Sequence, residues 1–545
     1  MPWNARIRPR LCTHLPRAAL TVLTALVLTA PTVPAATAAT AATAATAAAA
    51  GPAGIVVHTD KGAVRGVAHD EVIEYSGIPY AAPPVGALRW RPPRPAARWN
   101  GIRDAGTPGP DCAQSAAGFR PGKPASAAED CLYLNVWRPV HGRRPLPVMV
   151  WIHGGSYAFG AGADFAPRDM AIKGDTVVVT VNYRLGALGF LAHDALNAES
   201  SDGSSGAYAI QDQQAALGWV RRNAAAFGGD PRNVTIAGES AGGASVCTQM
   251  ISPPARGLFH RAISQSGAYG VGGCDTRSAG AAVAEGQAFA AALGCADTAD
   301  AAACLRAKPV ADLLEAQASQ SWSPALGGRT LPLDPAAAFR TGRFTHVPVL
   351  TGTNTDESTI FVYGATDAIG QPLTAEAYEA AVRDDFGADA DAVLGRYPLD
   401  AYPHPGAALS ALQTDLIFAC GQRRWNRAIA PRVPTYVYEF ADPHVPIQLT
   451  VEPSFPLGAF HFAELFYLWG VFNPADPRSP EQNRLAARMI GYWSAFAHTG
   501  DPGTRHGVRF PRHTPGEPVL RLHPDGDTVD TTFGTVHQCD FWDTL

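Results

Sequence analysis

A serine set between glycines two residues away on either side can attack a carbonyl carbon when the backbone holds its hydroxyl clear of the chain. Gly238-Glu239-Ser240-Ala241-Gly242 has that spacing, although 54 glycines in 545 residues make the pattern ambiguous when taken alone. Its surroundings narrow the reading. The β-branched run Val234 to Ala237 precedes it, and Ser245-Val246-Cys247 continues it in a helix-like pattern. A strand-to-helix turn strains the serine and exposes its oxygen, while the glycines let chain and substrate approach closely. The next amide, of Ala241, then opens a helix and can face a developing oxyanion. A tetrahedral intermediate needs further donors. A second run, Val148 to Ile152, leads straight into His153-Gly154-Gly155-Ser156-Tyr157, where the amides of Gly155 and Ser156 can serve. Losing one good donor in such a site costs roughly 3 kcal/mol of transition-state stabilisation.

These groups need rigid elements behind them. Short apolar runs rich in β-branched residues recur at Val148 to Ile152, Thr176 to Val181, Val234 to Ala237, Val349 to Thr351 and Tyr436 to Phe440. Strands of this kind are buried on both faces. Tyr208 to Phe227 has helical spacing, and Gly228-Gly229-Asp230-Pro231 stops it just before the strand that carries Ser240. The pattern predicts an α/β fold, a mostly parallel central sheet flanked by helices. Gly77 to Pro95 is proline-rich and reads as surface loop wrapped on the core. There is no internal repeat, so residues 54–545 are expected to form one domain.

The remaining composition sets limits. Hydrophobic residues make up 46%, charged residues 17%, and the net charge is −5, which provides no basic field for nucleic acid. Arg6, Arg8, Arg10 and Arg17 precede the apolar run Ala18 to Ala30, and no acidic residue occurs before Asp60. Residues 1–38 read as a secretory signal and 39–53 as an Ala/Thr-rich disordered linker, so the mature chain is expected outside the cell. No later stretch is long and apolar enough to span a bilayer. Of nine cysteines, Cys12 falls in the signal and eight remain, an even number that favours disulfides in an oxidising compartment. Neither a C-x-x-C pair nor H-E-x-x-H is present, so neither a metal nor a cofactor is expected.

Several stretches together resemble the type-B carboxylesterase/lipase family, the α/β-hydrolases that include the cholinesterases. They are GIPYAAPPVGALRW, EDCLYLNVWRP, WIHGGSYAFG, NYRLGALGFL, FGGDPRNVTIAGESAGG, FHRAISQSG, TNTDES and GAFHFAEL, in order along nearly the whole mature chain. The resemblance implies an α/β-hydrolase fold with large loop and helical insertions. It also implies a triad in the order nucleophile, acid, base: Ser240, Glu357, His461. Ser156 stands where the family's oxyanion loop has a third glycine, and Ser358 stands where glycine commonly follows the acid. Asp356 is the rival acid. His153 is the other local histidine and reads as structural. Glu239 and Ser266 match positions from which relatives tune the base or place water. Cys112–Cys131, Cys295–Cys304 and Cys420–Cys539 match family disulfides. Cys247 and Cys274 are left over, and either a fourth bridge or two buried thiols fits them.

The implied activity is cleavage of a small-molecule carboxylic ester through an acyl-enzyme. The Cys112–Cys131 loop holds Phe119 and no tryptophan, so a cation–π site for choline has no support. Trp322 falls near a region that lines the acyl pocket in relatives, or belongs to the core. Short to medium-chain esters are the expected substrates. The alternatives are a triacylglycerol lipase, an amidase or peptidase on the same triad, and a non-catalytic neuroligin-like adhesion protein. Oligomeric state has no signature in the sequence.

Overall fold

A computed structural model describes residues 55–545 apart from 118–119, 121, 142–144, 270–272, 297–299 and 471–477. The expected signal and linker, and Phe119, lie outside the described residues. Eleven strands form one sheet. In chain order they are β1 (Val67–Ala68), β2 (Val72–Pro79), β3 (Tyr133–Pro139), β4 (Leu146–Ile152), β5 (Val177–Val181), β6 (Gly229–Glu239), β7 (Arg261–Gln265), β8 (Val349–Asn354), β9 (Thr435–Phe440), β10 (Val519–Leu522) and β11 (Thr528–Asp530). Across the sheet they run β1-β2-β3-β5-β4-β6-β7-β8-β9-β10-β11. Neighbours from β5 through β10 are parallel, while β1, β2, β3 and β11 are antiparallel to their neighbours.

Alternation along the central strands explains why both faces are covered. Val148, Val150 and Ile152 of β4 join one apolar core with Val234 and Ile236 of β6. Met149 and Trp151 join the other, with Ala237, Ile263 and Leu350. Helices α1 (Tyr208–Asn223) and α2 (Ala241–Ile251) pack on the first face. Helix α3 (Pro480–Thr499) packs on the second, where Trp493 meets Tyr438 at a ring distance of 5.0 Å. The five runs read from the sequence all lie in this sheet. Gly77 to Pro79, read as surface loop, instead ends strand β2. The long helical stretch is α1 followed by a 3₁₀ turn, Ala224–Phe227, and Gly228 closes it with φ +80°.

Four disulfides join Cys112–Cys131, Cys247–Cys274, Cys295–Cys304 and Cys420–Cys539. Among the described residues no helix is long and apolar enough to cross a membrane.

Candidate active site

The parallel register brings the carboxyl ends of four strands level. Ile152 lies opposite Gly238, Glu239 opposite Gln265, and Gln265 opposite Gly352. Open parallel sheets collect ligands at this edge. The candidates for nucleophile, oxyanion donors, acid and base each follow one of these ends or that of β9, and Glu239 is the last residue of β6.

Ser240 leaves β6 with φ +54° and ψ −124°, outside the ordinary regions for an L-residue, and α2 begins at the next residue. Its amide donates to the Gln265 carbonyl at 2.9 Å. The turn closes this tightly only because of its glycines. A Cβ on Gly242 would stand 2.0 Å from the Ile152 oxygen, and one on Gly238 would stand 2.5 Å from the Gly242 backbone.

The loop after β4 carries positive φ at three consecutive residues: Gly155 (+104°), Ser156 (+52°) and Tyr157 (+59°). The Gly155 carbonyl turns inward and accepts the amides of Ala158 and Phe159. The amides of Gly155 and Ser156 donate to no carbonyl among the described residues. Gly154 packs on the turn after β6, where an added Cβ would meet Glu239 Oε2 at 2.7 Å and Ser240 Cβ at 3.1 Å. The donor loop and the serine are therefore neighbours. His153 is buried and stacks on Tyr183 at 4.4 Å, and burial pushes its pKa down to about 4. It is neutral and structural at ordinary pH.

The acid and base candidates meet directly. His461 Nδ1 donates to Glu357 Oε2 at 2.6 Å, and the His461 amide donates to the Glu357 carbonyl. Glu357 Oε1 accepts the Thr353 hydroxyl (2.6 Å) and the Asn354 amide (2.8 Å). Burial alone would push the Glu357 carboxyl up. The His461 charge and these hydrogen bonds outweigh it and hold the group below the usual carboxylate range. Asp356 turns the other way and accepts the Ala459 amide at 2.9 Å. Ser266 leaves β7 with φ +46°, and its buried hydroxyl lies beside Glu357.

The outer edge of the imidazole faces the serine's chain neighbour. Nε2 stands 3.0 Å from Glu239 Oε1, an ion pair rather than an aligned hydrogen bond. Among the described residues no hydrogen bond joins Ser240 to His461. A catalytic base often closes on its nucleophile only when substrate is bound. Burial pushes Glu239 up to about 8. Burial would lower His461, but the carboxylates of Glu239 and Glu357 overcome this and push it up to about 9. The two groups therefore titrate as a pair.

Sequence reasoning missed three residues here. Glu464 is fully buried and accepts Gln265 Nε2 (2.9 Å) and Asn354 Nδ2 (2.7 Å), and burial pushes it up to about 7. Its position three residues after His461 was the available signal. Phe361 and Phe418 flank the imidazole at ring distances of 4.9 and 5.1 Å. Phe418 comes from a π-helical turn, Thr414–Ala419, which no sequence pattern announced. Trp322 is a core residue, edge-on to Phe289 at 5.6 Å and under the Arg277 guanidinium.

Comparison with known proteins points the same way. The model of the Carboxylesterase family matches residues 53–542. The chain is 37% identical to fumonisin B1 esterase of Sphingopyxis macrogoltabida, over 84% of this chain and 85% of that one. It is 34% identical to para-nitrobenzyl esterase of Bacillus subtilis (strain 168), over 84% and 92%. A solved structure of a PNB esterase superposes with a TM-score of 0.72 at 33% identity, covering 87% of this chain and 97% of that one.

Proposed function

The chain belongs to the carboxylesterase family and is a carboxylic ester hydrolase of the α/β-hydrolase fold, and from that premise we propose that Ser240, His461 and Glu357 are its nucleophile, base and acid. The observation that carries this reading is His461, held by Glu357 at Nδ1 and turned with Nε2 toward the residue preceding Ser240. His461 takes the Ser240 proton as the hydroxyl oxygen bonds to the ester carbonyl carbon. The carbonyl becomes an oxyanion facing the amides of Gly155, Ser156 and Ala241. Glu357 fixes the tautomer and stabilises the imidazolium without taking the proton itself. The intermediate collapses, His461 protonates the departing alkoxide, and the same steps with water release the acid.

Glu239 and Ser266 back the base rather than touch substrate. Glu239 sets the imidazole's proton affinity, and Ser266 sits beside Glu357. Short to medium-chain esters are the proposed substrates, and the relatives named for para-nitrobenzyl and fumonisin esters support ester cleavage over amide cleavage. We also propose that residues 54–545 are one catalytic domain, exported by a signal in residues 1–38. Four disulfides suit an oxidising compartment.

A p-nitrophenyl ester series of increasing acyl length, run on wild type and Ser240→Ala, tests the reading. The expected result is a wild-type optimum at short to medium chains and loss of turnover in the variant. Equal rates in the two proteins would remove Ser240 from the mechanism. A preference for long emulsified esters would replace the proposed substrate class with lipids.

A further inference from the structure

We propose that Gln114 is a positioning residue for the oxyanion-binding amides, acting on them through Gly160. The inference rests on the reading of Gly155 and Ser156 as oxyanion donors. Gln114 lies just inside the disulfide loop Cys112–Cys131, and its side chain is fully buried. Its backbone is fixed first: the amide donates to the Ser126 carbonyl and the carbonyl accepts the Ser126 amide, both at 2.9 Å. The side-chain amide then holds both backbone groups of a single residue. Oε1 accepts the Gly160 amide at 2.9 Å, and Nε2 donates to the Gly160 carbonyl at 3.0 Å. Its remaining capacity is also used, with Nε2 donating to the Cys112 carbonyl (2.9 Å) and Oε1 accepting Arg120 Nη1 (2.6 Å).

Gly160 closes the loop that begins at His153. It has φ +114°, and a Cβ there would stand 2.5 Å from His153 Nδ1 and 2.8 Å from the Gly154 oxygen. The end of the loop is thus pressed against its beginning. Arg120 secures the chain just beyond, pairing Nε and Nη2 with the two oxygens of Asp164 and reaching Asp111 with Nη2. Asp164 in turn accepts the Ala161 amide.

The donors need this bracing because of their backbone. Ser156 and Tyr157 adopt positive φ although neither is glycine. Such conformations persist only where the surroundings over-determine them. The internal bonds from Ala158 and Phe159 to the Gly155 carbonyl fix the middle of the loop. Gln114 fixes where that unit sits relative to the β4 end and Ser240. Sub-ångström error there weakens the hydrogen bonds made to an oxyanion far more than contacts to a planar ester.

The test compares two inhibitors of one shape, an alkyl trifluoromethyl ketone and the matching methyl ketone. The fluorinated ketone accepts the Ser240 oxygen at its carbonyl carbon, the hydroxyl proton passes to His461, and the carbonyl oxygen becomes an oxyanion. The methyl ketone stays planar, so the ratio of the two affinities reads the oxyanion site. Full-length Gln114→Ala should lose about 10- to 100-fold in kcat/KM and the same factor in that ratio, with KM within about threefold, since one whole donor is worth about 10²–10³. Arg120→Lys keeps a positive charge between Asp111 and Asp164 but not the fork that reaches Gln114. It should show a smaller loss of both quantities, and it decides the matter if Gln114→Ala does not fold.

A wild type that binds the two ketones equally would overturn the oxyanion reading and this proposal together. A wild type that prefers the fluorinated ketone, with the ratio unchanged in a folded variant, would overturn the role of Gln114 alone. Thermal unfolding of each variant separates that result from simple loss of stability.

Discussion

Exchanging Glu239 for glutamine removes a buried carboxylate from the outer edge of the imidazole while keeping its size. The lost oxygen lies 3.0 Å from His461 Nε2. A base works only when neutral, so with His461 as the proposed base kcat/KM falls on the acid side as it gains a proton, and each nearby carboxylate moves that fall to higher pH. Two unit charges about 4 Å apart interact by about 4 kcal/mol at an effective dielectric of about 20. That is equivalent to about 3 pH units at about 1.4 kcal/mol each. Burial pushes Glu239 up to about 8 while His461 stands at about 9, close enough that each ionisation changes the other. The limb belongs to the pair, so the expected displacement is smaller, about 1 to 2 pH units downward in Glu239→Gln. The variant should therefore retain activity at acid pH where the wild type has lost it. Titrating the acid released from a soluble short-chain ester across the pH range measures this without a chromogenic leaving group. An acid limb that stays in place or moves upward would refute the coupling of Glu239 to the base.

Glu357→Gln keeps the shape beside His461 but replaces the accepting oxygen with an amide that favours the wrong tautomer. Turnover should fall by about 10⁴-fold with little change in KM, measured by steady-state kinetics on the same ester. His537 is buried between Asp415 (2.6 Å) and Glu439 (2.8 Å), which overcome its burial and push its pKa up to about 10. Because the folded value lies above the unfolded one of about 6.5, this stabilisation is complete below pH ~6.5 and disappears as pH rises toward ~10. His537→Ala takes the buried cation from between the two carboxylates, leaving Glu439 only the Arg521 guanidinium at 3.6 Å, and should cost about 3–5 kcal/mol near neutral pH, read by denaturant unfolding. The gap between wild type and variant should narrow at alkaline pH.

The parts of the fold that could be read from sequence were those whose physics is local. Strand β5 is a run of five buried residues, VVVTV, and a strand covered on both faces admits few other compositions. The turn at Ser240 was legible because its glycines are required by contacts as short as 2.0 Å. Strands β2 and β3 were not, since polar residues break the apolar run inside each and a proline closes it. The choice between Asp356 and Glu357 shows where local reasoning ends. Adjacent residues in a turn point opposite ways, and only the packed chain reveals that one meets His461 and the other the Ala459 amide. Phe361 and Phe418 were invisible for a related reason. They lie 57 positions apart and meet only across the imidazole.

The carboxyl-edge arrangement also has a consequence in time. Its chemical groups come from five separate stretches between Gly155 and His461, each useless without the strand beside it. As the chain is synthesised, the donor loop and the serine emerge well before the base, and β10 follows later still. On the proposed triad, a nascent or truncated product ending before His461 carries a serine hydroxyl with nothing to deprotonate it. Hydrolytic competence on that triad is therefore acquired late, only once the stretch carrying His461 has been made.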